Sequence, residues 1–251
     1  MEEASEVGSN QSILEHLNDL RVRLTWAAVA LIVATVISFI FAEQILNFLM
    51  RPYNASVIGG ATLQTLRPTE GIETFFKVAL LSGAIIAMPI ILYQFWLFIS
   101  PGLTDQEKKY VYIFIPSALV LFLLGIAFAW FILAPAAIFF LANFMTNIFK
   151  TDWTGQEYIS FVTRMLFWMG VAFELPIVVY FVARVGIITA EWLRSQWRFA
   201  IVGVAVLAAM ITPSIDPVTM LLTMAPLLVL YLLSIVLAKV GQRQYEHSIA
   251  I

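Results

Sequence analysis

The 251-residue sequence contains no cysteine and only two histidines, His16 and His247, both near the ends of the chain. The absence of cysteine excludes a disulfide framework, thiolate catalysis and cysteine-ligated metals. With no histidine inside the chain, a histidine metal site and a serine–histidine protease are excluded as well. We therefore expect no metal, no cofactor and no enzymatic activity.

Charged side chains are also scarce, at 12% of the residues against about 25% in typical soluble proteins. Hydrophobic residues make up 61%, which is more than the interior of a soluble fold of this size can hide. The 14 Lys and Arg residues are scattered and form no basic stripe, so nucleic acid is not an expected partner. The composition predicts an integral membrane protein whose apolar surface faces the lipid bilayer.

Six apolar runs predict a single all-α membrane domain over residues 1–251. The acidic start of the chain is unlike a signal peptide, so the first run is expected to stay as a helix. The third run is too long for the bilayer and has Pro116 and Pro135 near its ends, which favours kinks or a protrusion. The fifth is short enough to require local thinning. The predicted transmembrane helices are 24–41, 75–98, 111–142, 159–183, 198–212 and 218–238.

The positive residues near the helix ends predict the orientation, because cytoplasmic segments are enriched in Lys and Arg. Six helices place both termini on one side, and an N-terminus in the cytoplasm gives nine cations inside against four outside. The inner nine are Arg21, Arg23, Lys108, Lys109, Arg184, Arg194, Arg198, Lys239 and Arg243. The outer four are Arg51, Arg67, Lys77 and Lys150. Both termini are therefore predicted to be cytoplasmic.

Glu174 is the most informative charged residue within an apolar run. It lies ten residues from both Arg164 and Arg184, which is about 15 Å of helix in each direction and places it near the bilayer midplane. A carboxylate there costs roughly 2.5–3.5 kcal/mol on insertion scales. Two interpretations remain open, a hydrogen bond that serves packing alone or a site for a polar partner group or a proton. Arg164 is expected to snorkel outward.

Acidic residues gather at the predicted cytoplasmic ends of the first two transmembrane helices. Glu15 and Asp19 are four residues apart, and Asp105 and Glu107 follow the second helix. The spacing of Asp19 and Arg23 is that of an ordinary ion pair, and Glu107 is placed to cap the next helix. The other interpretation is a docking site for a basic ligand, and spacing alone leaves both open.

Several motifs resemble those of the TatC family, the multi-spanning subunit of the twin-arginine protein translocase. The stretch HLNDLRVRL at 16–24 is similar to the family's N-terminal motif, and residues 89–107 resemble the segment around its first cytoplasmic loop. The sequence FELP at 173–176 is similar to its fourth-helix motif, and residues 212–231 resemble its last hairpin. The matches run in order from residue 14 to about residue 240.

This resemblance implies a concave, cup-shaped bundle of six helices with both termini in the cytoplasm. It implies a core receptor subunit that binds the twin-arginine signal peptides of folded proteins. Together with TatA and TatB subunits, it would nucleate the complex that exports those proteins across the cytoplasmic (inner) membrane, driven by the proton-motive force. The resemblance also implies a homo-oligomer within the complex.

Roles for individual residues follow from the same resemblance. The residues implied in signal-peptide binding are Asp19, Arg21, Phe98, Glu107 and, as a neighbour of the first acid, Glu15. The other implied positions are Glu174 in the membrane, Pro52 and Asp216 in the periplasmic loops, and Met210 and Thr212 at the partner-helix contact.

Two positions depart from the family pattern. Asp19 replaces the usual Glu, which shortens the reach by one methylene and shifts part of its role to Glu15. Leu232 follows Tyr231 where many members have Glu, so no role for an acid on the sixth helix is expected.

Two other functions are compatible with the residues. One is a proton-coupled transporter of small solutes with Glu174 as the carrier site, which would move solute without single-span partners. The other is a purely structural scaffold, which would tolerate neutralisation of Glu107.

The predicted topology can be tested by labelling single introduced cysteines, because the chain has no native cysteine background. We expect labelling from the cytoplasm at Ser12, Gln106, Ser195 and Ser248. We expect labelling from outside at Ser56, Thr154 and Ser214. Two or more sites on the wrong side would overturn the six-helix assignment with an inner N-terminus.

Overall fold

The computed structural model describes residues 2–56, 63–99, 111–144, 153–212 and 216–249. Side chains are described for residues 17–54, 63–98, 114–144, 153–212 and 216–246. Within these ranges the chain is helical and contains no β-strand, and an isolated bridge pairs Gln64 with Thr154. The predicted all-α class is confirmed.

Ten α-helices and one π-helical turn make up the described chain. The first three are α1 (Glu2–Leu49), α2 (Arg51–Ser56) and α3 (Glu70–Ile99). The middle of the chain forms α4 (Val111–Phe128), the π-turn (Ala129–Leu133), α5 (Ala134–Asn143), α6 (Gly155–Phe173) and α7 (Leu175–Arg184). The last three are α8 (Ala190–Ser195), α9 (Trp197–Ile211) and α10 (Pro217–Ile249).

Five stretches of the described chain are long and apolar enough to cross a membrane. They are Leu17–Asn54, Glu70–Phe98, Phe114–Asn143, Gly155–Arg184 and Pro217–Glu246. A shorter apolar helix, α9, has 15 residues and a length of about 22 Å. The helices also extend beyond the apolar runs. The largest extensions are at the start of α1, well before the first run, and at the end of α10, well after the sixth.

Contacts divide the chain into two compact units. The first comprises residues 1–40 and 79–119, and the second comprises residues 41–78 and 120–251. All three boundaries between the units fall inside helices, so α1, α3 and α4 each contribute to both units.

The first unit is held together where α1 and α3 come into backbone contact. A Cβ on Gly83 would lie 2.6 Å from Cα of Thr35, so only glycine permits this approach. The Thr35 hydroxyl donates to the carbonyl of Leu31 at 2.7 Å, which satisfies this polar group within its own helix. Farther along α3, the buried Trp96 ring lies 4.5 Å from that of Phe114, centroid to centroid.

The second unit has a core formed mainly by α4, α5 and α6. Fully buried side chains from these helices include Phe122, Ile138, Val162, Met165 and Met169. The polar hydroxyls on buried helix faces follow a common rule, because those of Thr163, Thr212, Thr223 and Ser234 each donate to a carbonyl one turn earlier. The helices thus satisfy these four hydroxyls internally, as a lipid environment requires.

The π-turn from Ala129 to Leu133 lies between α4 and α5. Trp130 in this turn is buried and stacks on Phe48, with ring centroids 4.4 Å apart and planes at 21°. Pro135 follows within the first two positions of α5, and because it has no N–H it cannot donate to a carbonyl of the preceding turn. The irregularity expected near Pro135 is therefore a π-turn ahead of the proline, whereas Pro116 lies inside a helix that stays regular.

Glycine packing between α4 and α6 generates a stability prediction. A Cβ on Gly125 would lie 2.7 Å from the carbonyl oxygen of Met169, whereas one on Gly203 would meet nothing within 4 Å. Gly125→Ala should destabilise the protein by about 1–3 kcal/mol, because a backbone atom cannot move aside cheaply. Gly203→Ala, the matched control, should leave stability unchanged or raise it. Thermal unfolding in detergent measures both, and equal midpoints would contradict the packing.

Candidate functional site

Asp19 lies on α1 in the first unit and forms the ion pair that its spacing predicts. Its Oδ1 accepts a hydrogen bond from Nε of Arg23 at 3.1 Å, and 29% of the Asp19 side chain is exposed. Exposed pairs of this kind contribute only about 0–1 kcal/mol. Another guanidinium can therefore displace Arg23 at little cost. Arg21, two residues earlier, is exposed.

The other residues of the predicted signal-binding group are only partly described. Phe98 lies at the end of α3, in the same unit as Asp19, and is half-buried. Glu15 belongs to α1, but its side chain lies outside the described residues, and Glu107 lies outside them altogether. The structure thus places Asp19, Arg21 and Phe98 in the first unit, together with the backbone of Glu15. The predicted site residues in the second unit are Pro52, Glu174, Met210, Thr212 and Asp216.

Glu174 lies at a break in the helix of the fourth apolar run. We expected one continuous helix over 159–183, but α6 ends at Phe173 and α7 begins at Leu175. The physical reason is Pro176, which has no amide hydrogen and whose ring excludes the carbonyl four residues earlier. The proline was visible in the sequence, but it did not reveal that the helix restarts next to the carboxyl.

The Glu174 carboxyl is buried and incompletely bonded. Its residue is 8% exposed, and Oε1 has no hydrogen-bond partner among the described residues. The Glu174 backbone is satisfied, since its carbonyl accepts from the amides of Ile177 and Val178 at 3.1 and 3.0 Å. A polar group that approaches this break would find a free acceptor beside a helix terminus.

Pro52 is buried in the second unit, in the short helix α2. Next to it, Tyr53 is 1% exposed, and its ring lies 5.2 Å from that of Tyr158 in an edge-to-face arrangement. The Tyr158 hydroxyl donates to the carbonyl of Leu49 at 2.8 Å, which satisfies a carbonyl at the end of α1. Pro52 therefore belongs to a fixed connection between α1 and α6.

Asp216, Met210 and Thr212 lie around the connection between α9 and α10. Asp216 caps α10, because its Oδ1 accepts from the amide of Thr219 at 2.7 Å and its Oδ2 from the Thr219 hydroxyl. Met210 is 46% exposed, whereas Thr212 is 3% exposed and donates to the carbonyl of Ala208. Of the two predicted partner-contact residues, only Met210 presents its side chain on the surface.

A polar network that the sequence did not predict joins the segment before α3 to the start of α6. Nη2 of Arg67 donates to Oε1 of Gln156 at 2.6 Å, and Nε2 of Gln156 donates to Oε2 of Glu73 at 2.5 Å. The amide of Gln64 donates to the carbonyl of Trp153 at 3.2 Å, and the Gln64 carbonyl accepts from the amide of Gly155 at 3.0 Å. These bonds fasten the two segments together.

Other charged groups of this region are also satisfied internally. Oε2 of the buried Glu70 accepts from the amide of Leu66 at 3.0 Å, and Nζ of Lys77 donates to the Ser160 hydroxyl at 2.8 Å. The Thr154 hydroxyl accepts from an amide in the first turn of α6. The sequence analysis missed this cap, although Thr154 and Glu157 have the spacing of a capping box. The pairing between distant segments leaves no local signal.

A cavity of about 830 Å³ adjoins this network, and Arg164 contributes to its wall. Arg164 is exposed and forms no ion pair among the described residues, as expected for a cation that snorkels out of the membrane. The burial of Thr154 corrects our choice of that position for labelling. The exposed Gln64, which is bonded through its backbone, is a better outer position.

The comparisons with known proteins decide the family. The family model described as Sec-independent protein translocase protein (TatC) matches residues 15–226. The chain belongs to the TatC family. A TatC protein of Helicobacter pylori strain J99 is 38% identical over 229 residues, which cover 91% of this chain and 89% of that protein. A TatC protein of Aquifex aeolicus is 39% identical over 234 residues, which cover 92% and 96%.

A solved TatC structure agrees with the fold. It is described as the twin-arginine translocase receptor TatC, has a TM-score of 0.83 and is 38% identical in sequence. The match covers 90% of this chain and 99% of the solved one. Because nearly the whole TatC chain is matched, the resemblance found in the sequence motifs is confirmed at the level of family and fold.

Proposed function

We propose that the protein is the core receptor subunit of a twin-arginine translocase and binds the twin-arginine signal peptides of folded cargo proteins. The observation that carries this proposal is the match of 90% of the chain to a solved translocase receptor. The chain provides carboxylates for the signal arginines and an extensive apolar surface. Its role is to bind and to nucleate a complex, and it needs no cofactor and no catalytic group.

The arginine pair of the signal is recognised by Asp19 and Glu107. Guanidinium–carboxylate hydrogen bonds are charge-assisted and can be bidentate, so they select arginine over lysine. The Asp19–Arg23 pair, with both side chains about 30% exposed, is weak enough to exchange its guanidinium for one from the signal. Arg21 sets the local charge, Phe98 supplies an aromatic contact beside the acids, and Glu15 supports the shortened Asp19.

Apolar contacts supply much of the affinity. Exposed ion pairs contribute about 0–1 kcal/mol each, whereas burial of apolar surface contributes about 25 cal/mol per Å². A bound signal peptide would therefore be selected by the two acids and held mainly through its apolar stretch. This division also explains why a weak and exchangeable ion pair suffices at the recognition site.

Glu174 and the outer end of α9 serve the partner subunits. The free Oε1 of Glu174 beside the helix break suits a hydrogen bond from a polar side chain of a single-span TatA or TatB type helix. The exposed Met210 contacts such a helix directly, and the buried Thr212 supports the surface on which that helix packs. Pro52 and Asp216 hold the periplasmic connections through burial and helix capping.

The orientation follows from the distribution of cations. Nine of the Lys and Arg residues near the helix ends lie on the side of the termini and four on the other, which places both termini in the cytoplasm. We accordingly assign the protein to the cytoplasmic (inner) membrane as a six-span, multi-pass subunit. Several copies assemble within the translocase.

The signal-binding acid can be tested by charge reversal. Glu107→Arg should abolish crosslinking of a twin-arginine signal peptide and export of its cargo, and Glu107→Ala should do so less completely. Reversal adds repulsion against the arginines to the lost attraction. The loss of crosslinking and export should be smaller for Asp19→Ala as long as Glu15 is present. The loss in the double variant Glu15→Ala with Asp19→Ala should exceed the sum of the losses in the two single variants.

The matched control is Glu191→Arg, which reverses an exposed acid on the same predicted side of the membrane. It should leave crosslinking and export unchanged. Normal crosslinking of signal peptide to the Glu107→Arg variant, at matched membrane levels, would remove Glu107 from the recognition site.

The role of Glu174 can be tested by comparing Gln and Ala variants. Gln keeps the size and the hydrogen-bonding capacity of the side chain but cannot ionise, whereas Ala removes both. If the carboxyl bonds a partner helix, Glu174→Gln should retain substantial export of a folded reporter and Glu174→Ala should lose most of it. Signal-peptide binding should change little in either variant.

Two other outcomes are informative for Glu174. Equal failure of both variants, together with solute or proton flux through the purified chain in liposomes, would favour the proton-coupled transporter. Full export by Glu174→Ala would show that the buried carboxyl serves packing alone.

A further inference from the structure

A groove in the second unit lies between α10 and the junction of α8 with α9. It has a volume of about 530 Å³, and its surface is almost entirely apolar apart from one end. The residues that line it are Arg194, Trp197, Tyr231, Leu232, Ile235 and Val236. Its position is separate from Met210 and Thr212, which lie at the opposite end of α9.

The floor of the groove is fixed by packing and by a hydrogen bond. The Tyr231 hydroxyl donates to the carbonyl of Leu193 at 2.5 Å, which ties α10 to α8. Tyr231 and Ile235 pack against a buried cluster that contains Leu193 and Ala238. On the outer wall Leu232 and Val236 remain 61% and 60% exposed. The groove is therefore preformed and open along its length.

Three cations lie on the helices that form this groove. Arg194 lines it directly, and the guanidinium of Arg198 lies 5.4 Å from the centre of the Trp197 ring. Lys239 lies on the same face of α10 as Leu232, seven residues or about two turns away. All three cations are exposed, and none forms an ion pair with an acid among the described residues.

The cations and the apolar residues of the groove follow the same order as the charged headgroup and the acyl chains of a phospholipid. The cations and Trp197 lie where the membrane–water interface is expected, since tryptophan favours that level. The apolar residues Leu232, Ile235 and Val236 continue toward the hydrocarbon. Basic pockets between transmembrane helices on the cytoplasmic side are suited to anionic headgroups. A neutral apolar helix would fit the groove walls but would leave the cations without counter-charges.

We propose that this groove binds a phospholipid of the cytoplasmic leaflet with a net negative headgroup. The phosphate lies between Arg194 and Arg198, and an acyl chain lies along Leu232 and Val236. The assignment to the cytoplasmic leaflet rests on the proposed orientation of the translocase subunit, whereas the lipid preference itself does not. The bound lipid would fill the groove beside α9, an apolar helix of only 15 residues.

Trp197 provides a reporter within the groove. The protein is reconstituted in phosphatidylcholine nanodiscs that contain a minor fraction of a lipid with brominated acyl chains, which quench tryptophan fluorescence on contact. The brominated lipid is phosphatidylglycerol in one series and phosphatidylcholine in the other. The chain has seven tryptophans, so the Trp197 signal is obtained as the difference between the wild type and Trp197→Phe. We expect brominated phosphatidylglycerol to quench this signal at a markedly lower lipid fraction than brominated phosphatidylcholine.

Each arginine should contribute about a fivefold preference for the anionic lipid. Arg194→Gln and Arg198→Gln should each reduce the preference by about that factor, and the double variant should lose it. The matched control is Arg51→Gln, which removes another exposed guanidinium stacked on an aromatic ring, 5.1 Å from the centre of Phe48, and should leave the preference unchanged. Inorganic phosphate should not compete, because it lacks the acyl chains.

Two results would overturn the proposal: equal quenching by the two brominated lipids, or an unchanged preference in the double variant. Competition by inorganic phosphate at equal concentration would show that the site binds phosphate alone and does not recognise a lipid. Native mass spectrometry of the same variants, titrated with phosphatidylglycerol, gives a second readout that does not depend on tryptophan. Signal-peptide crosslinking in the same nanodiscs distinguishes a failure of the lipid site from a failure of the proposed receptor function.

Discussion

The absence of water in the hydrocarbon core is the constraint on which the rest of this structure depends. Every polar group placed there must find a partner within the protein. The buried hydroxyls of Thr163, Thr212, Thr223 and Ser234 obey this rule by donating to carbonyls of their own helices. Charged side chains are held at the helix ends or in networks such as that of Arg67, Gln156 and Glu73. The places where the rule is broken are therefore candidates for function.

Glu174 is the clearest exception, because its buried Oε1 has no partner within the described chain. It coincides with a second exception, the helix break that Pro176 imposes. A carboxyl beside a broken helix offers hydrogen bonding at a depth where lipid offers none. Asp19, which we propose as a recognition acid, is the opposite case, since its side chain is partly exposed and weakly paired.

Much of the architecture could be predicted from the sequence, because apolar runs of membrane length have few alternative folds. The all-α class, the ion pair of Asp19 with Arg23 and the outward Arg164 all follow from local patterns. The break at Glu174, the π-turn around Trp130 and the bridge between Gln64 and Thr154 do not. Each depends on contacts between distant segments or on the response of a helix to a proline, neither of which has a local sequence period.

In the candidate site, too, some features could be predicted from local sequence motifs, and others depend on contacts between distant parts of the chain. Its residues were reached through a resemblance of motifs, and the structural match to a translocase receptor supports the family. Thr212 is buried, whereas Met210 is exposed. The motif could not predict this difference, because nearby residues at a helix end face different directions. The polar network before α3 was missed for the reason that its partners are about 90 residues apart.

We propose that this chain selects paired arginines in a signal peptide. The most direct measurement is co-purification of the chain with a tagged twin-arginine signal peptide, against an otherwise identical twin-lysine peptide. We expect retention of the arginine peptide and loss of most of the lysine peptide, because a lysine cannot form the planar, bidentate bond to a carboxylate. Equal retention of the two peptides, or of neither, would contradict the receptor function proposed here.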